Sequence, residues 1–345
     1  MAETDSRNWI SGPAVSLLAQ LRRREVPASL VGAALDGGVG QLRALLDGSE
    51  PIDVVTAEVL GSLLGGGGEF WLRRQSEYDA QLDQAVQRLS SEEGDELLRR
   101  APVPGRSSRR GHGDRVAELR RRLTFYGVGS PAEWERRYGG KHGSVVFRTS
   151  ETFASREGPT SLWLRRGEIA AGMVETSAWD RAAVLASIPA VRKLTKFRQL
   201  DRCLPALRSL LATVGIALVV ERSIDGCRAS GAARFVEPGK AMLLLSLRYR
   251  SDDHLWFTVF HELGHLVLHS GDAFVDEDDT PGDEREVEAD KFAAEAIIPP
   301  HREDELRSLS LRHREVTRFA VSLGVAPGLI VGQLQHRGLL ARETR

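Results

Sequence analysis

The chain has 345 residues, a length typical of two or three domains, and its apolar fraction of 41% is sufficient for packed cores. The formal net charge of −1 excludes an overall basic excess. The two cysteines, Cys203 and Cys227, form no Cys-x-x-Cys pair, which argues against a disulfide framework or a cysteine-rich zinc module. The sequence contains no recognisable signal peptide and no apolar run of membrane-spanning length, so we expect a cytoplasmic protein without a membrane partner.

The first 90 residues are predicted to form an all-α domain. Helical periodicity occurs in short segments separated by glycine-containing breaks, among them Ala28–Leu35, Val39–Leu46 and Ile52–Leu64. Short helices joined by a glycine-containing turn are typical of a helix-turn-helix. Gly32 falls where the first two of these helices would touch, so we expect their backbones to approach closely there.

The segment Val39–Leu46 is the one that a helix-turn-helix would place in a DNA groove. Of the residues that it would present to the groove, Gly38 and Gly40 carry no side chain, so the candidate base contacts are Gln41 and Arg43. Residues 1–90 hold eight basic and twelve acidic residues, whereas phosphate contacts need local positive charge. We predict DNA binding through Gln41 and Arg43, and helix-turn-helix proteins often bind two half-sites as homodimers.

Residues 91–195 are predicted to be a basic linker and helical region. Its first part, 91–150, holds thirteen basic and eight acidic residues, including the clusters Arg106–Arg110 and Arg120–Arg122. This charge is either a clamp for DNA phosphates or an ordinary solvated linker and helix face, and the composition leaves both interpretations open. Ala101–Gly113, which is rich in proline, glycine, serine and arginine, is expected to be an exposed connector.

The periodicity changes beyond residue 214, where short aliphatic runs replace the helical pattern. Ala217–Glu221, Gly231–Val236 and Ala241–Leu247 are predicted strands, and three strands directly before a buried helix indicate a small mixed sheet. An edge strand of such a sheet can hold an extended peptide by β-addition. Because helices and strands are segregated along the chain, we predict an α+β fold.

Trp256–Gly271 carries the most specific chemical pattern, the sequence His-Glu-Leu-Gly-His at 261–265. His261 and His265 are four residues apart and so lie on one face of a helix, where their ring nitrogens can share a metal ion. Glu262 lies about 100° around the helix, so it would not bind the metal but could move a proton from water to a leaving amine. The apolar surroundings indicate a buried helix whose polar groups need partners, and a zinc site explains them better than a chance match does.

Catalytic zinc usually has three protein ligands and one open position, so a third ligand is expected downstream. Asp283–Pro299 has the periodicity of an amphipathic helix and places Glu286 and Asp290 four residues apart on one face. We therefore predict that Glu286 binds the zinc and that Asp290 accepts a hydrogen bond from a ligand histidine. Glu288 is the competing candidate for the third ligand, and a solvated acidic face is the alternative to both.

Together these motifs resemble those of the ImmA/IrrE family of zinc metallopeptidases, over about Leu119–Leu340. The matching stretches are Phe147–Ser150, Trp163–Glu168, Leu245–His265, Glu286–Ala293 and Gly324–Gly338. The N-terminal part is similar to the helix-turn-helix of the Cro/repressor class over Val31–Gly48 and to the HigA type of antitoxin over Ile52–Asp79.

The resemblance implies a minimal gluzincin fold with zinc, in which His261, His265 and Glu286 bind the metal and Glu262 is the catalytic acid and base. We expect four segments along the chain. These are a helix-turn-helix domain at 1–90, the basic linker and helical region at 91–195, a zinc metallopeptidase core at 196–300 and a C-terminal helical hairpin at 301–345.

The family is associated with cleavage of a transcriptional repressor or antitoxin in stress, phage or mobile-element control. The resemblance therefore implies an endopeptidase whose partner is one regulatory protein. The alternative is an antitoxin-like repressor that binds a cognate toxin and an operator and keeps a structural or vestigial zinc site. A third interpretation is a DNA-binding regulator whose metal domain senses zinc.

Overall fold

The computed structural model of the chain describes residues 11–105, 112–139, 156–197, 199–248, 252–269 and 282–341. Contacts between residues divide the chain into two units. Unit 1 comprises residues 1–144, 155–175 and 224–227, and unit 2 comprises residues 145–154, 176–223 and 228–345. Two stretches named above, Phe147–Ser150 and Arg106–Arg110, lie outside the described residues.

Unit 1 is all-α over the part that the structure describes. Its helices are α1 (Pro13–Arg23), α2 (Ala28–Ala34), α3 (Gly38–Asp47), α4 (Val54–Leu64), α5 (Gly67–Arg88), α6 (Ser91–Arg100), α7 (His112–Tyr126), α8 (Pro131–Tyr138) and α9 (Glu157–Gly172). A Cβ atom added to Gly32 on α2 would come within 3.0 Å of the Val39 side chain on α3. The expected close approach of these two helices at Gly32 is therefore confirmed.

The sequence patterns above do not predict α6, which lies where the basic linker was expected to begin. This helix starts at a capping box: the Ser90 hydroxyl accepts a hydrogen bond from the Glu93 N–H, and the Glu93 carboxylate accepts one from the Ser90 N–H. Ala101 directly follows α6 and is fully buried. The exposed connector predicted from Ala101 onward is therefore wrong at its first residue, because the chain there still packs against the fold.

Unit 2 contains the sheet and the helices that carry the metal motif. Its elements are α10 (Arg181–Leu194), α11 (Leu200–Ala212), β1 (Ile216–Val220), β2 (Gly231–Glu237), β3 (Lys240–Leu245), α12 (Asp252–Leu268), α13 (Gly282–Ile297), a 3-10 turn (Pro300–Arg302), α14 (Glu303–Arg307), α15 (His313–Leu323) and α16 (Pro327–His336). The strand order is β1-β3-β2, with β3 parallel to β1 and antiparallel to β2. A small mixed sheet and an α+β class are thus found as predicted.

The central strand β3 is buried along its whole length. Its Leu243 is paired with Leu218 of β1 on one side and Ala233 of β2 on the other. All three belong to one hydrophobic core with Phe260 and Leu263 of α12. Each fully buried Leu or Phe side chain stabilises such a core by roughly 1.5–3 kcal/mol, so burial of these side chains holds the sheet and α12 together.

Two arginines of α10 hold the ends of the helices that carry the motif. Arg181 Nε donates to the Val267 carbonyl at 2.7 Å in the last turn of α12, and Arg192 Nε donates to the Ala296 carbonyl in the last turn of α13. Carbonyls at a helix C-terminus lack partners within the helix, and a cation there also opposes the negative end of the helix dipole. One helix thus anchors both α12 and α13.

Among the described residues, no single helix is long and apolar enough to cross a membrane. In the part of the chain that the structure describes, one pair of helices, α15 and α16, reaches that length and composition when taken together, and it is bent by 106°. Phe319 on α15 and Ile330 on α16 belong to the hydrophobic core of unit 2. Their apolar character is therefore accounted for by packing inside this unit.

Candidate metal centre

The metal motif lies on α12, a helix that is buried on nearly all sides. Its apolar side chains that are at most 2% exposed are Trp256, Val259, Phe260, Leu263, Leu266 and Val267. The polar residues are buried among them: His261 and Glu262 are 0% exposed and His265 is 8% exposed. Burial of polar groups without partners is costly, so the surroundings of these three side chains decide what the site can do.

The second half of the site comes from α13, which packs closely against α12. Gly264 lies between the two histidines of the motif, and a Cβ atom there would come within 3.1 Å of the Phe292 side chain and 3.2 Å of the Ala289 Cα. Ala289 is itself fully buried. Small residues on both helices allow their backbones to approach. This approach brings Glu286, about one turn before Ala289, to the histidines of α12.

Three side chains converge on one point between α12 and α13. The Nε2 atoms of His261 and His265 are 3.0 Å apart, and each lies 3.3 Å from a carboxylate oxygen of Glu286. The three side chains each offer a ligand atom within 4.8 Å of the others, so the group could hold a metal ion. Within the described ranges, no other group of His, Cys, Asp and Glu residues is arranged in this way.

The charges of this cluster are set by the protein's own groups. Burial lowers the pKa of His261, but hydrogen bonds to Asp290 and Glu286 and the charge of Glu262 outweigh it and raise the pKa to about 9. Burial is the main cause that lowers the pKa of His265. Burial raises the pKa of Glu286, yet its hydrogen bonds to the two histidines bring it down to about 2. Near neutral pH, a metal would therefore have to displace a proton from His261.

Asp290 lies on the far side of His261 from the other donor atoms. Its Oδ1 is 2.8 Å from His261 Nδ1. A carboxylate in this position accepts the Nδ1–H hydrogen and leaves the Nε2 lone pair directed at the point where the donors meet. The sequence predicted that Asp290 would accept a hydrogen bond from one of the two histidines of the motif, and the structure places it beside His261.

His269 directly follows the last residue of α12 and is not among the predicted site residues. Its Nδ1 lies 3.2 Å from His265 Nδ1, and its Nε2 lies 2.9 Å from Glu288 Oε2. Glu288, the competing candidate for the third ligand, thus pairs with His269, while Glu286 meets both His261 and His265. The spacing of His269 in the sequence could have identified it, because His261, His265 and His269 follow one another at intervals of four residues and such positions share one face of a helix.

The carboxylate of Glu262 lies against the start of β2. A Cβ atom added to Gly231, the first residue of that strand, would come within 2.6 Å of Glu262 Oε1. The strand can pass this closely only because Gly231 has no side chain. The outer strand of the sheet therefore begins beside the carboxylate to which the motif assigns proton transfer.

In unit 1, the amide of Gln41 is used by the fold itself. Its Oε1 accepts a hydrogen bond from the Gly37 N–H at 3.0 Å, and its Nε2 donates to Glu50 Oε1 at 3.1 Å and to Thr56 Oγ1 at 3.4 Å. Gln41 thus joins α3 to the first turn of α4. Arg43, the other predicted DNA contact, is exposed on α3.

The described arginines of the basic region are largely paired with carboxylates of unit 1. The pairs are Arg100 with Glu96, Glu135 and Glu157, Arg115 with Asp95, Arg120 with Asp79 and Asp83, and Arg121 and Arg122 with Glu118. The negative charge of a paired carboxylate opposes the approach of a phosphate to the same guanidinium. These pairs therefore favour an ordinary charged helix face over a phosphate clamp.

Comparison with known families gives one match, and all of its residues except Cys227 belong to unit 2. The family model Peptidase_M78, described as the IrrE N-terminal-like domain, matches residues 227–328. This range contains β2, β3, α12 and α13, and it does not reach the N-terminal helices. Comparisons with curated proteins and with solved structures give no match. The family match supports the resemblance to ImmA/IrrE proteins and a metallopeptidase-like domain over residues 227–328.

Proposed function

We propose that the chain is a zinc-dependent endopeptidase that cleaves a regulatory protein of the repressor or antitoxin type. The observation that carries this proposal is the convergence of His261 and His265 of α12 with Glu286 of α13. Glu262, which is also on α12, is buried directly beside His261 in the sequence. Structural zinc sites are usually closed by four protein ligands, whereas catalytic sites have three and an open position. Three donors with a buried acid next to one of them in sequence favour the catalytic type.

Zinc fits this donor set in number, chemistry and spacing. Two imidazoles and one carboxylate form a usual set of ligands for catalytic zinc. Ligand atoms at about 2.0–2.1 Å from a tetrahedral ion lie roughly 3.3–3.4 Å from one another, close to the 3.0 and 3.3 Å between the donor atoms of His261, His265 and Glu286. When bound, zinc would lower the pKa of a water molecule and polarise the carbonyl group of a peptide bond.

The remaining steps belong to side chains of this chain. Glu262 accepts a proton from the attacking water and delivers it to the nitrogen of the leaving amine. Its complete burial keeps bulk solvent from competing for that proton. Asp290 holds His261 by the Nδ1 atom, so the ring keeps its orientation while the substrate is cleaved.

The position of β2 supports an extended polypeptide as substrate. Within the described sheet, β2 is paired on one edge only, with β3, and it begins at Gly231 beside Glu262. A peptide that added to the other edge of β2 through backbone hydrogen bonds would pass close to this carboxylate. Such a substrate must be extended over several residues, which suits a loop or linker of one partner protein.

For unit 1 we propose a contact with DNA through Arg43 on α3. The support is the pair of helices that meet at Gly32 and the exposure of Arg43. Because Gln41 and most described arginines of the basic region are already paired, we expect weak and salt-sensitive binding. A gel shift at low salt with the DNA upstream of the chain's own gene, using the wild type and Arg43→Ala, tests this. An absent shift, or a shift that Arg43→Ala leaves unchanged, refutes the DNA contact without affecting the peptidase proposal.

Glu262→Gln tests the peptidase proposal, because it removes the proton acceptor and leaves the three donors in place. We expect this variant to bind zinc like the wild type and to lose cleavage activity about 100- to 10,000-fold, the usual contribution of general acid–base catalysis. The measurement is zinc content together with new protein N-termini in cells that express each form. Glu295→Gln, a change on the exposed side of α13, is the matched control.

The proposal fails if wild type and Glu262→Gln produce the same set of new N-termini. It also fails if the wild type binds zinc but cleaves no protein in cells that contain its native partners. That second result would favour the antitoxin-like repressor, with a structural zinc site.

A further inference from the structure

His269 and Glu288 form a pair that continues outward from His265. His269 Nδ1 lies 3.2 Å from His265 Nδ1, and Glu288 Oε2 lies 2.9 Å from His269 Nε2. The side chain of His269 is only 13% exposed although it follows the end of α12, whereas that of Glu288 is 62% exposed. The contacts thus run from a buried donor of the candidate metal site to the surface of α13.

The direction of the hydrogen bonds follows from the chemistry of the imidazole ring. If His265 binds a metal through Nε2, its hydrogen is on Nδ1, so that Nδ1 donates to His269 Nδ1. The His269 hydrogen is then on Nε2, where it donates to the Glu288 carboxylate. Each contact therefore fixes the tautomer of the next ring, and a single arrangement satisfies all of them.

The two donor histidines are thus held in different ways. The Nδ1 atom of His261 meets a carboxylate directly, at Asp290, while the Nδ1 atom of His265 is linked to one only through a second imidazole. An outer partner orients the ring of a metal ligand and makes its other nitrogen a better donor, and its loss typically lowers metal affinity about 10- to 100-fold. Nothing else in the catalytic scheme above requires His269 or Glu288.

We propose that His269, held by Glu288, is a positioning residue that keeps His265 Nε2 directed at the metal and so raises the affinity for zinc. This inference rests on the proposed zinc site. It assigns Glu288 to the support of a ligand instead of to ligation. It also predicts that the ring of His265 turns more freely when the imidazole of residue 269 is absent.

The test is the zinc affinity of the purified full chain, measured by competition with a chromophoric chelator and without any substrate. We expect His269→Ala to weaken zinc binding about 10- to 100-fold. His269→Asn keeps an acceptor near the Nδ1 position, so it should recover most of the affinity. Glu288→Gln should weaken binding more than Glu284→Gln, which removes the same charge from an exposed position on α13.

A second readout separates positioning from a general structural effect. In the zinc-loaded wild type, the Nδ1–H of His265 should give a slowly exchanging proton signal in nuclear magnetic resonance spectra. That signal should disappear in His269→Ala and persist in His269→Asn. Equal melting temperatures of the metal-free forms would show that each variant folds.

The inference is overturned if His269→Ala binds zinc as tightly as the wild type, or if the alanine and asparagine variants lose affinity equally. Either outcome leaves the peptidase proposal standing, because the wild type would still bind zinc. If the wild type itself binds no zinc, the peptidase proposal and this inference fall together.

Discussion

The candidate site residues of the two units differ in the partners that their polar atoms contact. In unit 2, side chains from two helices direct their donor atoms at one another, with Glu286 3.3 Å from each of two imidazole nitrogens. In unit 1, the amide of Gln41 is divided among the Gly37 backbone, Glu50 and Thr56. The first arrangement gathers donors for an ion, whereas the second ties two helices together.

The difference shows why a motif has to be judged by the partners of its side chains. The buried imidazoles and carboxylate of unit 2 converge with ligand-like spacing, which packing of a core does not require. The described arginines of the basic region pair with nearby carboxylates, as solvated helix faces commonly do. Side-chain geometry therefore supports the metal motif of unit 2 more strongly than it supports the predicted DNA contacts of unit 1.

Among the changes predicted here, Glu286→Gln should have the largest effect on zinc affinity, because it keeps the size of the side chain and removes the negative charge of a metal donor. We expect zinc affinity to fall further than the roughly 10- to 100-fold that follows loss of an outer partner. Chelator competition measures the change, with Glu284→Gln as the control. A larger loss in Glu288→Gln than in Glu286→Gln would contradict the placement of the third donor.

The pH dependence of zinc binding should show an intermediate effect. The pKa of His261 is about 9 without metal, so a proton must leave before zinc binds at neutral pH. Apparent affinity should therefore rise about tenfold per pH unit from about pH 7 and level off above about pH 9. Chelator competition at fixed free zinc measures the slope. A flat profile between pH 7 and 8.5 would show that His261 is already neutral there.

The same shift in pKa has a consequence for the metal-free protein. Because the folded-state pKa of His261 lies above the unfolded value of 6.5, its contribution to stability is fully present below about pH 6.5. That contribution is lost as the pH rises through about 9. Melting temperatures of the metal-free chain should decline over this range.

The smallest expected effect belongs to Gln41. Gln41→Ala removes the bridge between α3 and α4, and we expect it to destabilise these helices by about 1–2 kcal/mol. Arg43→Ala, on the exposed side of α3, should change stability by less than about 0.5 kcal/mol. Hydrogen exchange of the amides in α3 and α4 compares the two variants. Unchanged exchange in Gln41→Ala would mean that this amide is available to DNA after all.

Much of the fold and half of the site follow from local patterns in the sequence. The spacing of His261 and His265 sets them on one face of α12, because helix geometry alone determines which residues share a face. The short aliphatic runs before α12 predict the three strands in the same local way, because a brief continuous apolar run is typical of a buried strand. The capping box at Ser90 was equally local and would have predicted α6.

Only the tertiary structure decided which acid meets the histidines. Glu286 and Glu288 are two residues apart on α13, and the close approach of this helix to α12 at Gly264 brings the first to His261 and His265 and the second to His269. Spacing along one helix specifies direction but not the distance to another helix. That distance depends on which small side chains meet across the interface, and the same limit applied to Gln41, whose partners lie nine and fifteen residues away.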